Sequence, residues 1–167
     1  MRIQAVLSLA LVVGCSASPN ASWAGDVQSW SSGRAIEAGS VLAELEAYYT
    51  DLSARDWEAF ADHFWPGARM ATVWAPPGSA GPEVKLTTIP EFVAMAPEGP
   101  DSATVFAEWM THAEVREAGI LAEAWVRYEA HFGEPGELME WSGVDSITLL
   151  FHGGRWRIVS LAYAADH

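Results

Sequence analysis

From Phe106 to Ala164 the chain alternates apolar and polar residues almost without a break. A period of two is met only by strands that bury one face and expose the other. The connectors are too short for anything but hairpins: Ala118-Gly119, Gly133-Glu134-Pro135-Gly136 and Gly153-Gly154, which are turn-forming sequences. The pattern predicts strands at Phe106–Glu117, Ile120–Phe132, Leu138–Phe151 and Arg155–Ala164, paired as an antiparallel meander. One apolar sheet face that long needs a second layer to cover it.

The preceding residues supply that layer. Val41, Leu45, Tyr48 and Leu52 recur at helical spacing, and Leu42 and Tyr49 widen the stripe. Asp56 is placed to cap a second helix whose Trp57, Phe60, Ala61 and Phe64 share a face, with Pro66-Gly67 as its stop. Arg69 to Trp74 alternates as a strand, and Ala75–Pro82 reads as a loop. Thr88-Ile89-Pro90-Glu91 fits a capping box opening a third helix, Ile89 to Ala96. The expected fold is α+β: three N-terminal helices packed on one face of an antiparallel sheet.

Ahead of this domain, assigned to residues 41–167, the chain has a different character. Arg2 precedes about a dozen mostly apolar residues and then Gly14 and Cys15, the layout of a secretory signal over residues 1–14. Twelve residues of helix span roughly 18 Å, short of the roughly 30 Å hydrocarbon core of a bilayer. Val12-Val13-Gly14-Cys15 resembles the bacterial lipobox, which implies cleavage before Cys15 and lipidation of its sulfur. Cleavage further on, near Ala21 or Ala24, or an uncleaved anchor, are the competing readings. Residues 15–40, small and polar apart from Trp23 and Trp30, read as a tether. Those two tryptophans either dock on the domain or touch lipid head groups. The expected location is the cell envelope, anchored by lipid and facing the periplasm or exterior, with secretion as the alternative.

Charge and cysteine count narrow the chemistry. The formal charge is −13, and without Arg2 there remain 8 basic against 22 acidic residues, or −14. Such a surface repels phosphate backbones, so nucleic acid is not an expected partner. Cys15 is the only cysteine, so no intramolecular disulfide and no thiolate metal site can form.

Three local patterns carry a resemblance. They are Arg55-Asp56-Trp57-Glu58-Ala59-Phe60 with His63-Phe64-Trp65-Pro66-Gly67-Ala68; Trp125-Val126-Arg127-Tyr128; and Gly143-Val144-Asp145-Ser146 leading to Gly154-Arg155-Trp156-Arg157-Ile158-Val159. Together with the element order they resemble the nuclear-transport-factor-2-like superfamily, which includes SnoaL-like cyclases and ketosteroid-isomerase-like proteins. The resemblance runs from Val41 to Ala164 and implies a cone, a curved sheet around a long helix with a pocket at its open end. The fold hosts enzymes, binders and adaptors, so function has to be argued from the site.

On the strand after Gly119, Ala122, Ala124, Val126, Tyr128, Ala130 and Phe132 form an apolar face expected to meet the helices. Strand parity then turns Trp109, Thr111, Ala113 and Val115 inward on the preceding strand. On the next, Met139, Trp141, Gly143, Asp145, Ile147, Leu149 and Phe151 share a row in which Asp145 is the only carboxylate. An inward Asp145 without a partner is costly and carries a raised pKa, the condition of a general base or a ligand anchor. The alternative is an Asp held by backbone N–H groups or an Arg. Ketosteroid-isomerase-like proteins use a first-helix Tyr and a first-strand Asp. Tyr48 matches that Tyr by its offset from Arg55-Asp56-Trp57, but the acid position falls near Thr72, and Met70–Trp74 contains no carboxylate. Tyr48 equally suits core packing. His112 and Glu114 share an outward strand face and lack further ligands, His63 reads as structural or exposed, and no metal or cofactor is expected.

Three functional classes follow. The first is a lipid-anchored binding domain taking a small apolar molecule between Trp74, Trp109, Tyr128 and Trp141. The second is an isomerase, cyclase or hydrolase with Asp145 as base and Tyr48 as donor. The third is a dimeric interaction module. A homodimer is expected through the convex face, where Trp125, Val159, Leu161 and Tyr163 would otherwise leave an apolar patch in water.

Overall fold

A computed structural model describes residues 38–74, 80–98 and 103–166. The leader, Cys15, the tether and Trp23 and Trp30 lie outside the described residues. Helix α1, Ala38–Ala54, begins three residues before Val41. It buries Val41, Leu45, Tyr48, Tyr49 and Leu52, the widened stripe expected of a helix laid along a sheet. Arg55 ends it in the left-handed region at φ 58°. Asp56 then caps α2, Trp57–Asp62, by accepting from the Ala59 N–H at 3.1 Å.

Helix α2 stops four residues before Pro66, and Phe64 starts strand β1, Phe64–Trp74. Phe64 pairs with Ile158, and the Ile158 N–H donates to the His63 carbonyl at 2.8 Å. A sheet bond thus takes over where the helix would have continued. Pro66-Gly67 is not the helix stop; it sits within β1, where the register with its neighbour shifts and Gly67 adopts φ 88°. Strand β2, Glu83–Thr88, was not expected from the sequence. It is an edge strand whose Val84 and Leu86 stay exposed, so no burial contrast marks it. Thr88 and Glu91 form the capping box of α3, Ile89–Met95, and a 3₁₀ turn follows at Ala96–Glu98.

The meander runs β3 Val105–Ala118, β4 Leu121–Glu134, β5 Glu137–His152 and β6 Arg155–Ala165, each end within two residues of expectation. The sheet order is β2-β1-β6-β5-β4-β3. All neighbours are antiparallel except β1 and β6, which run parallel. The helices cover one face, and the core closes between them and Ile147, Leu149, Trp156, Ile158 and Leu161. The fold is α+β with a curled six-stranded sheet.

Two bulges decide which side chains face the helices. On β3 the register shifts between Met110 and His112, leaving Thr111 as the extra residue. Phe106, Glu108 and Met110 pair with Phe132, Ala130 and Tyr128 and therefore face inward. Trp109 pairs with Glu129 and turns outward, its ring edge-on to His131 at 4.8 Å. Ala113 and Val115 face inward as expected; Trp109 and Thr111 do not. On β6, Leu149 pairs with Ile158 but Thr148 with Ser160, so Val159 is the extra residue. Leu161 and Tyr163 then join the inner face, with Leu161 2% exposed. Neither belongs to the convex patch assigned to them.

Candidate functional site

Strand β4 alternates without a bulge, and Ala122 to Phe132 bury every second residue as expected. Beside it, β5 turns Gly143, Asp145, Ile147 and Leu149 toward the helices. Asp145 is 2% exposed, opposite Val126 on one side and Tyr163 on the other. The Tyr49 hydroxyl donates to its Oδ2 at 2.5 Å. Burial pushes the Asp145 carboxyl up and the Tyr49 bond pulls it back, leaving it at about 7 against an ordinary 3.8. Near neutrality this group is neither firmly acid nor firmly base, so it can accept or give a proton.

The phenol that meets Asp145 belongs to Tyr49, not Tyr48. Successive helical residues point about 100° apart; the two rings still touch edge-on at 4.9 Å between centroids, but only the Tyr49 hydroxyl is bonded to Asp145. Tyr48 is turned into the aromatic cluster of Phe60 and Phe64, at 5.5 and 5.8 Å between ring centroids, and packs the core. Tyr49 was visible in the sequence only as a widening of the helical stripe. Burial comes first in raising both phenols, with the Asp145 charge next. Tyr128 is raised too, by burial and then by Glu108 and Asp145. All four tyrosines of the chain thus gather around Asp145: its charge raises Tyr48, Tyr49 and Tyr128, and Tyr163 is its cross-strand partner on β6.

Glu108 is a further inward carboxylate, and the β3 bulge is what turns it in. Its backbone is tied to α1: the Glu108 N–H donates to Ser53 Oγ at 2.8 Å, and that hydroxyl donates to the Glu108 carbonyl at 2.7 Å. Toward the turn between β4 and β5 the inner face becomes aromatic. Phe132 and Trp141 pack at 4.2 Å between ring centroids, and Arg55 lies over Phe106 at 5.8 Å. Trp141 is 36% and Met139 56% exposed, so this apolar lip meets solvent. Trp141 and Tyr128 share the inner surface with Asp145, whereas Trp109 is outside it. Trp74 ends β1 opposite Glu83, and its side chain lies outside the described residues. Thr72, where isomerase-like proteins carry an acid, lies in the half-buried part of β1.

A separate charged cluster joins α1 to the start of β1. His63 Nδ1 donates to Glu44 at 2.8 Å and Nε2 to Asp51 at 2.9 Å. Burial works to lower the His63 pKa, but these two bonds outweigh it and the net change is upward. With both ring nitrogens engaged His63 offers no free base, so the cluster is a strap. Sequence spacing did not mark it, because Glu44 and Asp51 lie two turns apart and His63 beyond another helix. Among the described residues no group of His, Cys, Asp and Glu is arranged to hold a metal ion.

No known protein-family profile matches the chain, and no curated protein matches it in sequence. Solved structures match it in fold. The β subunit of benzoate 1,2-dioxygenase from Burkholderia mallei superposes with a TM-score of 0.63 at 16% identity, over 80% of this chain and 93% of that one. A nuclear-transport-factor-2-like protein with a cystatin-like fold from Novosphingobium aromaticivorans gives 0.59 at 17% identity, over 75% and 79%. A candidate scytalone dehydratase from the same organism gives 0.59 at 11% identity, over 77% and 83%. At these identities the likeness is one of fold: the helices and curled sheet are those of the cystatin-like, nuclear-transport-factor-2-like cone.

Proposed function

We propose that this chain is an exported, lipid-anchored domain that binds a small, mostly apolar molecule through the open end of its cone. The observation that carries the reading is the buried Asp145–Tyr49 pair beneath an aromatic inner face. A carboxyl near its titration point and a phenol can both hydrogen-bond a hydroxyl or carbonyl of the ligand, while Tyr128, Phe132 and Trp141 contact its apolar body. The test is native mass spectrometry of the chain purified from its own membrane. A bound small molecule is expected on the wild type and lost with Asp145→Asn. A ligand-free wild type, or equal occupancy in the variant, overturns the reading.

A second reading, acid–base catalysis of the isomerase, cyclase or hydrolase kind, draws on the same carboxyl. Its value of about 7 suits proton transfer, with Asp145 as base and Tyr49, rather than Tyr48, as donor. The absence of a carboxylate from Met70 to Trp74 argues for a binder over an isomerase of that type.

The anchor rests on the apolar run ending in Gly14-Cys15. Labelling with a fatty-acid analogue is expected to mark the wild type and to be abolished by Cys15→Ala. An unlabelled wild type released freely from membranes would contradict the anchor and the envelope location together.

A further inference from the structure

Glu44 and Asp51 stand nearly two turns apart on α1, about 700° of helical rotation, so they share one side of the helix roughly 10 Å apart along its axis. The imidazole of His63 bridges them, Nδ1 to Glu44 at 2.8 Å and Nε2 to Asp51 at 2.9 Å. His63 is itself fixed through its main chain. Its carbonyl accepts from the Ile158 N–H of β6 at 2.8 Å, and its N–H donates to the Phe60 carbonyl of α2 at 3.3 Å. A single bond would let α1 pivot about the contact. Two bonds from one rigid ring fix both the rotation of the helix and its slide along the sheet.

That rotation decides which tyrosine meets Asp145. Tyr48 follows Glu44 by about 400°, which leaves it within roughly 40° of the strapped side, and its ring meets His63 edge-on at 6.2 Å between centroids. Tyr49 lies about 140° from Glu44 and about 160° from Asp51, on the far side of the helix. There its hydroxyl donates to Asp145 at 2.5 Å. Ile158, to which His63 is tied, pairs with Leu149 on the strand that carries Asp145. The strap and the acid thus hold opposite sides of one helix against one sheet.

The grip has a chemical condition. A neutral imidazole carries one N–H and donates to one carboxylate only, so donation to both needs the imidazolium. The charged groups about His63 favour that form. Glu44 and Asp51 face it from α1, Asp62 precedes it on α2, and Arg155 and Arg157 of β6 bond Asp62, with Arg155 also 3.8 Å from Glu44. Burial disfavours the cation, yet the two carboxylate bonds outweigh it and hold the His63 pKa above its ordinary value.

We propose that protonated His63 is the positioning residue of the Asp145–Tyr49 pair: by gripping α1 at Glu44 and Asp51 it sets the helix rotation that places the Tyr49 hydroxyl, and not that of Tyr48, on Asp145. For its functional meaning the inference rests on the reading of that pair as the ligand site. Loss of the grip releases the Tyr49 bond, and Asp145, still buried, then holds its proton to higher pH. The other titratable groups about Asp145 are Tyr48, Tyr128 of β4 and Tyr163 of β6, with Glu108 of β3 acting on the same tyrosines.

The test is the titration of the Asp145 carboxyl, followed by NMR of the carboxyl-labelled full chain with no ligand added. Glu44→Ala and Asp51→Ala each remove one grip and keep a good helix former. Each is expected to raise the proton affinity of Asp145 by about threefold or more, within what loss of one bond to a charged group supplies. Tyr49→Phe, which lacks the bond outright, raises it at least as far, and adding either Ala variant to it gives no further rise. A direct field effect has the opposite sign, because removing a negative charge lowers a carboxyl pKa. An Asp145 midpoint unchanged or lowered in the Ala variants overturns the proposal. So does a rise that persists on top of Tyr49→Phe, which would route the effect around Tyr49. Asp51→Ala leaves the Glu44 bond in place, so the test does not depend on Glu44→Ala folding. The titration reads the pair itself, so failure here and failure of the binding reading are told apart.

Discussion

Asp145→Asn raises the melting temperature at pH 8 and leaves it nearly unchanged at pH 4. The folded carboxyl titrates at about 7, against 3.8 for an ordinary aspartate. A folded group with a raised acid pKa holds its proton longer than the unfolded chain does. Stability is therefore lost as pH rises from about 4 to about 7 and stays low above that. The full difference corresponds to about 4 kcal/mol, and for a domain of this size each kcal/mol moves the melting temperature by roughly 3–5 °C. Asn removes the charge but keeps an oxygen for the Tyr49 hydroxyl, so the gain appears without loss of that bond. Melts of both proteins from pH 4 to pH 8 measure it. If the variant instead loses roughly 1–3 kcal/mol at pH 8, the ionised carboxylate is a structural acceptor and Asp145 leaves the site. A residual decline in the variant at the upper end of the range belongs to His63. Its raised pKa contributes stability that is complete below about 6.5 and lost as pH rises through the higher folded value.

Gly143→Ala unfolds or severely weakens the domain, and it does so through space rather than backbone conformation. Gly143 is not among the glycines with positive φ. A Cβ there would lie 2.4 Å from the Tyr128 hydroxyl and 2.4 Å from the Ala164 carbonyl oxygen. Tyr128 can leave only by vacating the inner face, and the carbonyl belongs to the adjacent strand and cannot swing aside. The cost exceeds the roughly 1–3 kcal/mol of ordinary overpacking. Gly81→Ala is the control, since its Cβ would meet nothing within 4 Å. Urea midpoints of the two variants make the comparison. A loss under about 1 kcal/mol for Gly143→Ala would mean that Tyr128 does not lie across β5, and the aromatic wall beside Asp145 would have to be redrawn.

Asp145 shows why part of the candidate site was legible in the sequence. Asp145 stood out because a carboxylate in an otherwise apolar period-two row has no solvated position if the row is buried. Its raised pKa follows once that row faces the helices, which β5 turns it to do. Its partner did not follow. Tyr48 and Tyr49 are adjacent and both buried, and only the seating of α1 against β5 turns one toward the acid and the other into Phe60 and Phe64. The resemblance to isomerase-like proteins pointed to Tyr48 because it fixes an offset along the chain, whereas the contact depends on how the helix is rotated about its axis.

Alternation, turn glycines and caps are local quantities, each set by a few neighbouring residues, and they determined the four long strands, the Asp56 cap, the Thr88–Glu91 capping box and the α+β class. The phase of a strand after a bulge is not local. A sheet that curls around a helix must insert residues where the bend exceeds what a regular ladder tolerates. Thr111 and Val159 are those residues. By their insertion Trp109 went outward, Glu108 came inward, and Leu161 and Tyr163 left the convex face for the core. The same holds for β2, whose exposed Val84 and Leu86 give no burial pattern until β1 pairs with them, and for His63, whose two carboxylates meet it only when α1 and α2 fold together. Residue order decided which elements form; the curvature of the assembled sheet decided which side chains meet.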